Sequence, residues 1–496
     1  MCGVIGVYYP GVPVVLDTIL ASEFIYHRGH DSSGIAVPHA RGINRIADAG
    51  FFGDWPQKKR EETLNAADRD LVALHIRYST IGSKETLVRN AQPLVINGSD
   101  REGNDKVDLA ICHNGHIYSS QVTERPGYET DVKQIAFPIY HELNQGTEPE
   151  LVAGVTQMMK QTKGSYSFAG YVCSGENILF FFGRDPWGIR PLYWGKMEGG
   201  GIAVASEDVP LCNIEVGEKK RYKCVQIKKV PPGSLFIYDG ERVHVHEIDC
   251  QREMECGFEF VYFSGYGRLG ITDSRKSMGK CLWQENPIKA DMVAPVPDSG
   301  KIYAQGFSEA SHIPLVEGCL ARNRYKGQRS FIQPTDMLRK KTIKRKITVT
   351  REIEGKKVIL VDDSIIRGNT MGLVVKETWR ARPEELHVLI GSPPICFPCY
   401  LGIDMKEMDQ FLYIQFAEKL GYDKFHLDIY QDGSIKDEII AGIGEFLGAD
   451  SLSYLSYQGL QESLGKNHCF GCWNPRGYPQ VFQNDILNIV KKLEHE

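Results

Sequence analysis

In the first half of the chain, hydrophobic positions come in short runs bounded by Gly, Asn, Asp or Pro. "DLVALHIRYS" (70–79), "DLAICHNGHI" (108–117), "SYSFAGYVC" (165–173), "NILFFFGRD" (177–185) and "GIAVASED" (201–208) read as strands. Helical spacing appears around 14–26 and 130–144. Strands arriving in runs, with helices between them, predict stacked sheets covered by helices. "VPPGSLFIYDGERVHVHEID" (230–249) predicts a hairpin that closes this first domain, with the boundary at 248/249.

After about 258 the rhythm changes. "DMVAPVPDSG" (291–300) and "KKVILVDDSIIRGNT" (356–370) are continuous apolar runs that pass through a loop into a helix, and "ELHVLIGSPP" (385–394) is a further strand. Such alternation predicts βαβ units and a parallel sheet, where ligands bind at the carboxyl ends of the strands. The last stretch is mixed and ends in a helical tail, "NDILNIVKKLEHE".

Composition narrows the classes. The chain has 496 residues, 42% hydrophobic and 24% charged, with a net charge of −5. That length calls for more than one domain, and the charge excludes a general nucleic-acid-binding surface. No apolar run is long enough to cross a bilayer, and the start lacks a basic region of the kind that opens a secretory signal. Thirteen scattered cysteines, an odd count, fit a reducing, cytoplasmic setting.

"VILVDDSIIRGNT" carries the clearest chemistry. A buried strand delivers Asp362 and Asp363 at its carboxyl end, and the loop Ser364–Thr370 then feeds a helix. Backbone N–H groups at such a junction suit a phosphate monoester. Arg367, Gly368, Asn369 and Thr370 lie in that loop. The paired acids can accept from two adjacent hydroxyls, as on a ribose, or stand beside a magnesium ion held mainly by substrate. The stretch resembles the phosphoribosyl-pyrophosphate (PRPP) signature of type I phosphoribosyltransferases. That resemblance implies a pyrophosphate loop at Asp298, Ser299, Gly300 and Lys301, with magnesium near Ser299, Asp362 and Asp363. The basic stretch 323–352, with Arg329, Arg339, Lys344 and Lys346, is expected to cover the anionic substrate as a lid.

At the other end stands Cys2. Removal of Met1 would give one residue a thiol nucleophile and a free α-amine, whose reference pKa of roughly 7.7–8.0 suits a general base. "HRGHDSSG" (27–34), "HIRYSTIG" (75–82), "CHNGHI" (112–117) and "YETD" (128–131) complete an amide-hydrolysing set. Asn114 and Gly115 would donate to the oxyanion from a tight Asn-Gly turn. Arg77 would clamp the glutamine carboxylate and Asp131 its ammonium; Arg28 joins them as a glutamine-binding residue. The set resembles the class II, N-terminal-nucleophile glutamine amidotransferases over about residues 2–210, which implies a four-layer αββα sandwich. With the PRPP motif, the whole chain resembles the glutamine PRPP amidotransferase family. This implies transfer of glutamine nitrogen to C1 of PRPP, the first step of purine synthesis, with inhibition by purine nucleotides and a homotetramer. The other readings are a PRPP-binding regulator, an iron–sulfur redox sensor, and an amidotransferase with a different phosphoribosyl acceptor.

"CFGC" (469–472) adds a C-x-x-C pair, which in a reducing setting points to metal or redox chemistry. Cys256 and Cys399 are the partners expected for Cys469 and Cys472, with Cys396 as a competitor. The resemblance implies a [4Fe–4S] cluster, with zinc as the other metal suited to four thiolates. Two stretches depart from the family's pattern. After "FVYF" the chain reads "SGYGRLGITDSR" (264–275) where the family continues Ala-Arg-Pro-Asp-Ser. The segment 412–442 reads as an insertion.

Overall fold

The computed structural model describes residues 2–78, 84–98, 107–120, 130–322, 347–424 and 436–495. Among these, two antiparallel sheets fill the first half. One has eight strands, in the order 215–216, 222–229, 193–197, 202–205, 3–8, 71–77, 32–39 and 42–49. The other has six, in the order 243–247, 234–238, 177–184, 162–174, 107–120 and 94–96.

Strand period explains the layering. In the strand Gly3–Tyr8, Val4 and Tyr8 enter the core between the sheets, while Ile5 and Val7 face the helix side. In Leu71–Arg77, Leu71 and Ala73 point between the sheets, and Val72, Leu74 and Ile76 point outward. In Val107–Ser120, Ala110 and Cys112 point between the sheets, and Leu109 and Ile111 meet the helices Lys133–Glu142 and Glu148–Gln161. Both faces of these strands are therefore covered, which gives the αββα sandwich. The helix Glu148–Gln161 starts with a capping box, Thr147 with Glu150.

The second half is built on a four-stranded parallel sheet in the order Met292–Pro295, Lys357–Asp362, Glu385–Ile390 and Ser451–Tyr454. Val358 to Val361 are completely buried, as a central parallel strand requires. The described parts of the stretch read as an insertion, 412–424 and 436–442, pack into this core. Its helix Leu412–Lys419 packs on Asp437–Leu447, which in turn contacts the helix Asn369–Trp379 and the strand Ser451–Tyr454. The C-terminal helix Gln480–His495 returns to the first half, with Asp485 paired to Lys163 at 2.8 Å and Phe482 against Tyr118 and Trp187.

Candidate active sites and a buried cysteine quartet

Cys2 is held at two points. Its main-chain nitrogen donates to Asn114 Oδ1 at 3.1 Å. Its carbonyl accepts from Arg28 Nε at 3.0 Å. The pairing of Gly3 with Ile76, carried one residue further, sets Cys2 opposite Arg77.

Asn114 is fully buried, and its Nδ2 has no hydrogen-bond partner among the described residues. A buried amide nitrogen left unpaired costs free energy, and none of the described residues supplies an acceptor for this donor. The turn expected at Asn114–Gly115 is not formed. Both residues lie inside the long strand Val107–Ser120, opposite Ser167 and Tyr166. Gly115 has φ +153°, and a Cβ there would lie 2.0 Å from the carbonyl oxygen of Ser165. The glycine therefore answers to the partner strand rather than to a hairpin.

Arg28, expected to bind glutamine, is paired within the protein. Its guanidinium is fully buried and is used by Glu207 at 2.7 Å, Glu259 at 2.7 and 3.0 Å, and the Cys2 carbonyl. It holds the backbone of Cys2 through the Cys2 carbonyl. Arg77, half-buried at the end of its strand, lies close enough to influence His75 and His113.

Asp131 brings in two histidines that the sequence reading did not single out. Oδ1 lies 3.4 Å from His113 Nε2, and Oδ2 lies 3.3 Å from His116 Nδ1 and accepts from the Ile117 N–H at 3.2 Å. Burial alone would raise the Asp131 carboxyl, but the His113 charge and the two imidazole bonds outweigh it and hold it well below the usual range. Lys406 Nζ stands 3.2 Å from His116 Nε2, so the second half reaches this site too.

In the parallel sheet, Asp362 and Asp363 emerge buried at the strand end. Ser299 Oγ donates to Asp362 Oδ1 at 3.2 Å, which joins the two loops predicted to hold pyrophosphate and ribose. Burial, then the neighbouring Asp363 charge, pushes the Asp362 carboxyl well up. A cation or hydroxyl donors arriving there would relieve that repulsion. The helix begins at Asn369, after Gly368 in the left-handed conformation, so Asn369 and Thr370 belong to its first turn rather than to the loop. Arg367 is exposed on that loop. Leu412 packs under Gly368, and its N–H donates to the Ile366 carbonyl at 2.7 Å. Asp298 pairs with Lys301 at 3.4 Å. Arg329, Arg339, Lys344 and Lys346 lie outside the described residues.

Cys256, Cys399, Cys469 and Cys472 are all buried. Cys256 and Cys469 are direct partners in a short parallel pairing. The Cys472 carbonyl accepts from the N–H groups of Cys396 and Phe397, both at 3.0 Å. Burial first, then the charges of Cys256, Cys399 and Cys469, would push the Cys472 thiol well up. The Arg190 guanidinium, completely buried, is influenced by Cys256, Cys399 and Cys469. Cys396 instead bonds the Pro394 carbonyl at 3.1 Å and influences Tyr413 and Tyr454. Among the described residues no three His, Cys, Asp or Glu side chains gather closely enough to hold a single ion.

The comparisons agree with this double construction. A family model described as a glutamine amidotransferase domain matches residues 83–213. The amidophosphoribosyltransferase of Methanocaldococcus jannaschii is 32% identical over 95% of this chain and 96% of its own length. That of Synechocystis sp. is 33% identical over 100% and 94%. Among solved structures, the glutamine PRPP amidotransferase of B. subtilis complexed with ADP and GMP superposes with a TM-score of 0.71, at 26% identity, over 95% of this chain and 96% of that one. A structure described as the allosteric regulatory enzyme of purine biosynthesis gives 0.76 at 28% identity, over 99% of both. With nearly full-length relatives above 30% identity, the chain belongs to the amidophosphoribosyltransferases.

Proposed function

We propose that the chain moves nitrogen from glutamine to PRPP through two sites, one built on residues 2–248 and one on 249–496. Cys2, once Met1 is removed, attacks the side-chain amide of glutamine, its own α-amine taking and returning the proton. The developing oxyanion is met by Asn114 Nδ2 and the Gly115 N–H. Arg77 takes the substrate carboxylate, and Asp131, held ionised by His113, takes the ammonium. Ammonia leaves, a glutamyl thioester remains, and water hydrolyses it to glutamate.

In the second site the loop Ser364–Gly368 and the helix turn at Asn369 and Thr370 take the 5-phosphate, Asp362 and Asp363 the ribose hydroxyls, and Asp298 and Ser299 the pyrophosphate end, with Lys346 from the basic stretch. Ammonia displaces pyrophosphate from C1 and gives 5-phosphoribosylamine. Magnesium near Ser299, Asp362 and Asp363 would supply charge neutralisation for the departing pyrophosphate. Cys256, Cys399, Cys469 and Cys472 would hold a [4Fe–4S] cluster as a cross-link between distant segments; all four are buried, and Cys256 and Cys469 are direct partners in a short parallel pairing. Purine nucleotides are the expected inhibitors, in line with the ADP and GMP of the B. subtilis complex.

One observation carries the proposal: the Asn114 nitrogen, buried beside Cys2 and without a partner among the described residues, in the chain that also buries Asp362 and Asp363 at a strand end. The test is pyrophosphate release from PRPP, first with glutamine and then with ammonium chloride. Release with both is expected; release with neither would overturn the proposal.

A further inference from the structure

His116 stands two positions after Asn114 in the strand Val107–Ser120, so the two side chains share one face of it, with Gly115 between them. His116 meets a charged group at each ring nitrogen. Nδ1 lies 3.3 Å from Asp131 Oδ2, and Nε2 lies 3.2 Å from Lys406 Nζ. An ammonium can only donate, so Nε2 accepts from Lys406 and the ring proton sits on Nδ1, which donates it to Asp131. The two partners thus ask for the same tautomer.

Lys406 is exposed, yet a fixed turn delivers it. Leu401, Ile403 and Met405 are buried. The Cys399 N–H donates to the Met405 carbonyl at 2.7 Å, and the Met405 N–H to the Ile403 carbonyl at 2.9 Å. The Leu401 carbonyl accepts from Ser165 Oγ at 2.6 Å, and Ser165 is the residue opposite His116 in the neighbouring strand. The lysine is therefore placed by the same strand pair that carries His116.

The consequence falls on the Asp131 carboxylate. An ionised carboxylate offers about four acceptor positions over its two oxygens. Oδ2 receives the His116 Nδ1–H and also the Ile117 N–H at 3.2 Å. Among the described residues, Oδ1 faces only His113 Nε2, at 3.4 Å. Oδ1 is thus the oxygen with room for a further donor.

We propose that His116, backed by Lys406, is a positioning residue for the substrate's α-ammonium: it fills Oδ2 of Asp131 and turns Oδ1 to the ligand. The inference rests on the function proposed above, in which Asp131 takes the ammonium of glutamine. His116 and Lys406 are not core side chains, at 24% exposure for the first and more for the second, so both sites tolerate substitution.

The test measures glutamate release over a range of glutamine concentrations, with the melting midpoint and ammonia-driven pyrophosphate release as controls on the fold. His116→Ala is expected to raise KM for glutamine about tenfold, the lower end for a lost hydrogen bond to a charged group, with kcat within about twofold of the unaltered value. His116→Asn, whose amide nitrogen branches from the same carbon as Nδ1, is expected to recover most of that loss. Lys406→Met is expected to raise KM about threefold. An unchanged KM in His116→Ala, a loss confined to kcat, or a KM that stays raised in His116→Asn would overturn the inference. An unchanged KM in Lys406→Met would overturn the part given to Lys406. If the unaltered chain releases no glutamate from glutamine, the function itself fails and the inference falls with it.

Discussion

The main-chain nitrogen of Cys2 donates to Oδ1 of Asn114 at 3.1 Å, although the two residues are 112 positions apart. One amide thus does two jobs. Its oxygen seats the Cys2 backbone, and its nitrogen, buried and without a partner among the described residues, is the donor proposed for the oxyanion. Asn114→Ala is expected to lower glutamine-dependent turnover by roughly 10²–10³-fold, the usual loss for one oxyanion donor, while ammonia-dependent turnover stays at the unaltered level. Steady-state kinetics with the two nitrogen sources check this; equal losses would mean the residue only supports the fold.

Gly115→Ala tests the neighbour. An added methyl would meet the Ser165 carbonyl at 2.0 Å, a backbone atom that cannot swing away. The strand pair 107–120 and 162–174 must separate locally, at a cost of about 1–3 kcal/mol or more. Thermal unfolding should shift down and glutaminase activity should be lost. An unshifted melting midpoint would contradict the close approach.

What the sequence shows of this site follows from how far each partner lies along the chain. "VILVDD" is legible because a fully buried parallel strand is a continuous apolar run, and the acids sit directly after it. The Thr147–Glu150 box that starts a helix is local too, and would have located that helix. Asn114–Gly115 misleads for the opposite reason: Asn-Gly reads locally as a turn, while its conformation is set by Ser165, about fifty residues away. Arg28 looks like a substrate clamp until its partners, Glu207 and Glu259, are seen 179 and 231 positions later. His113 and His116 became visible as site residues only when Asp131 folded onto them.

The buried acid Glu207 should make the fold acid-sensitive. Burial alone would raise its carboxyl, but the His27 hydrogen bond and the His27 and Arg28 charges outweigh it and hold it at about 2, below its ordinary 4.5. A carboxyl depressed in the folded chain adds stability that is complete above 4.5 and drains as pH falls toward 2, on the order of 3 kcal/mol in all. Urea unfolding at stepped pH should show this loss, and Glu207→Gln should flatten the curve over that window while lowering stability at pH 7. An identical pH profile in the variant would contradict the assignment.

The cysteine quartet predicts iron and acid-labile sulfide near 4:4 per chain after anaerobic purification. Cys469→Ser should lower both and loosen the pairing with Cys256. Stoichiometric zinc without iron would contradict a cluster.

The most direct measurement is on Cys2→Ala, assayed for pyrophosphate release from PRPP with each nitrogen source. If the Cys2 thiol liberates ammonia that a separate site then consumes, glutamine-dependent release falls to background while release with ammonium chloride persists near the unaltered rate. Glutamine-dependent release surviving in this variant, or both activities vanishing in a protein that still melts normally, would contradict the division of labour between Cys2 and the Asp362–Asp363 site.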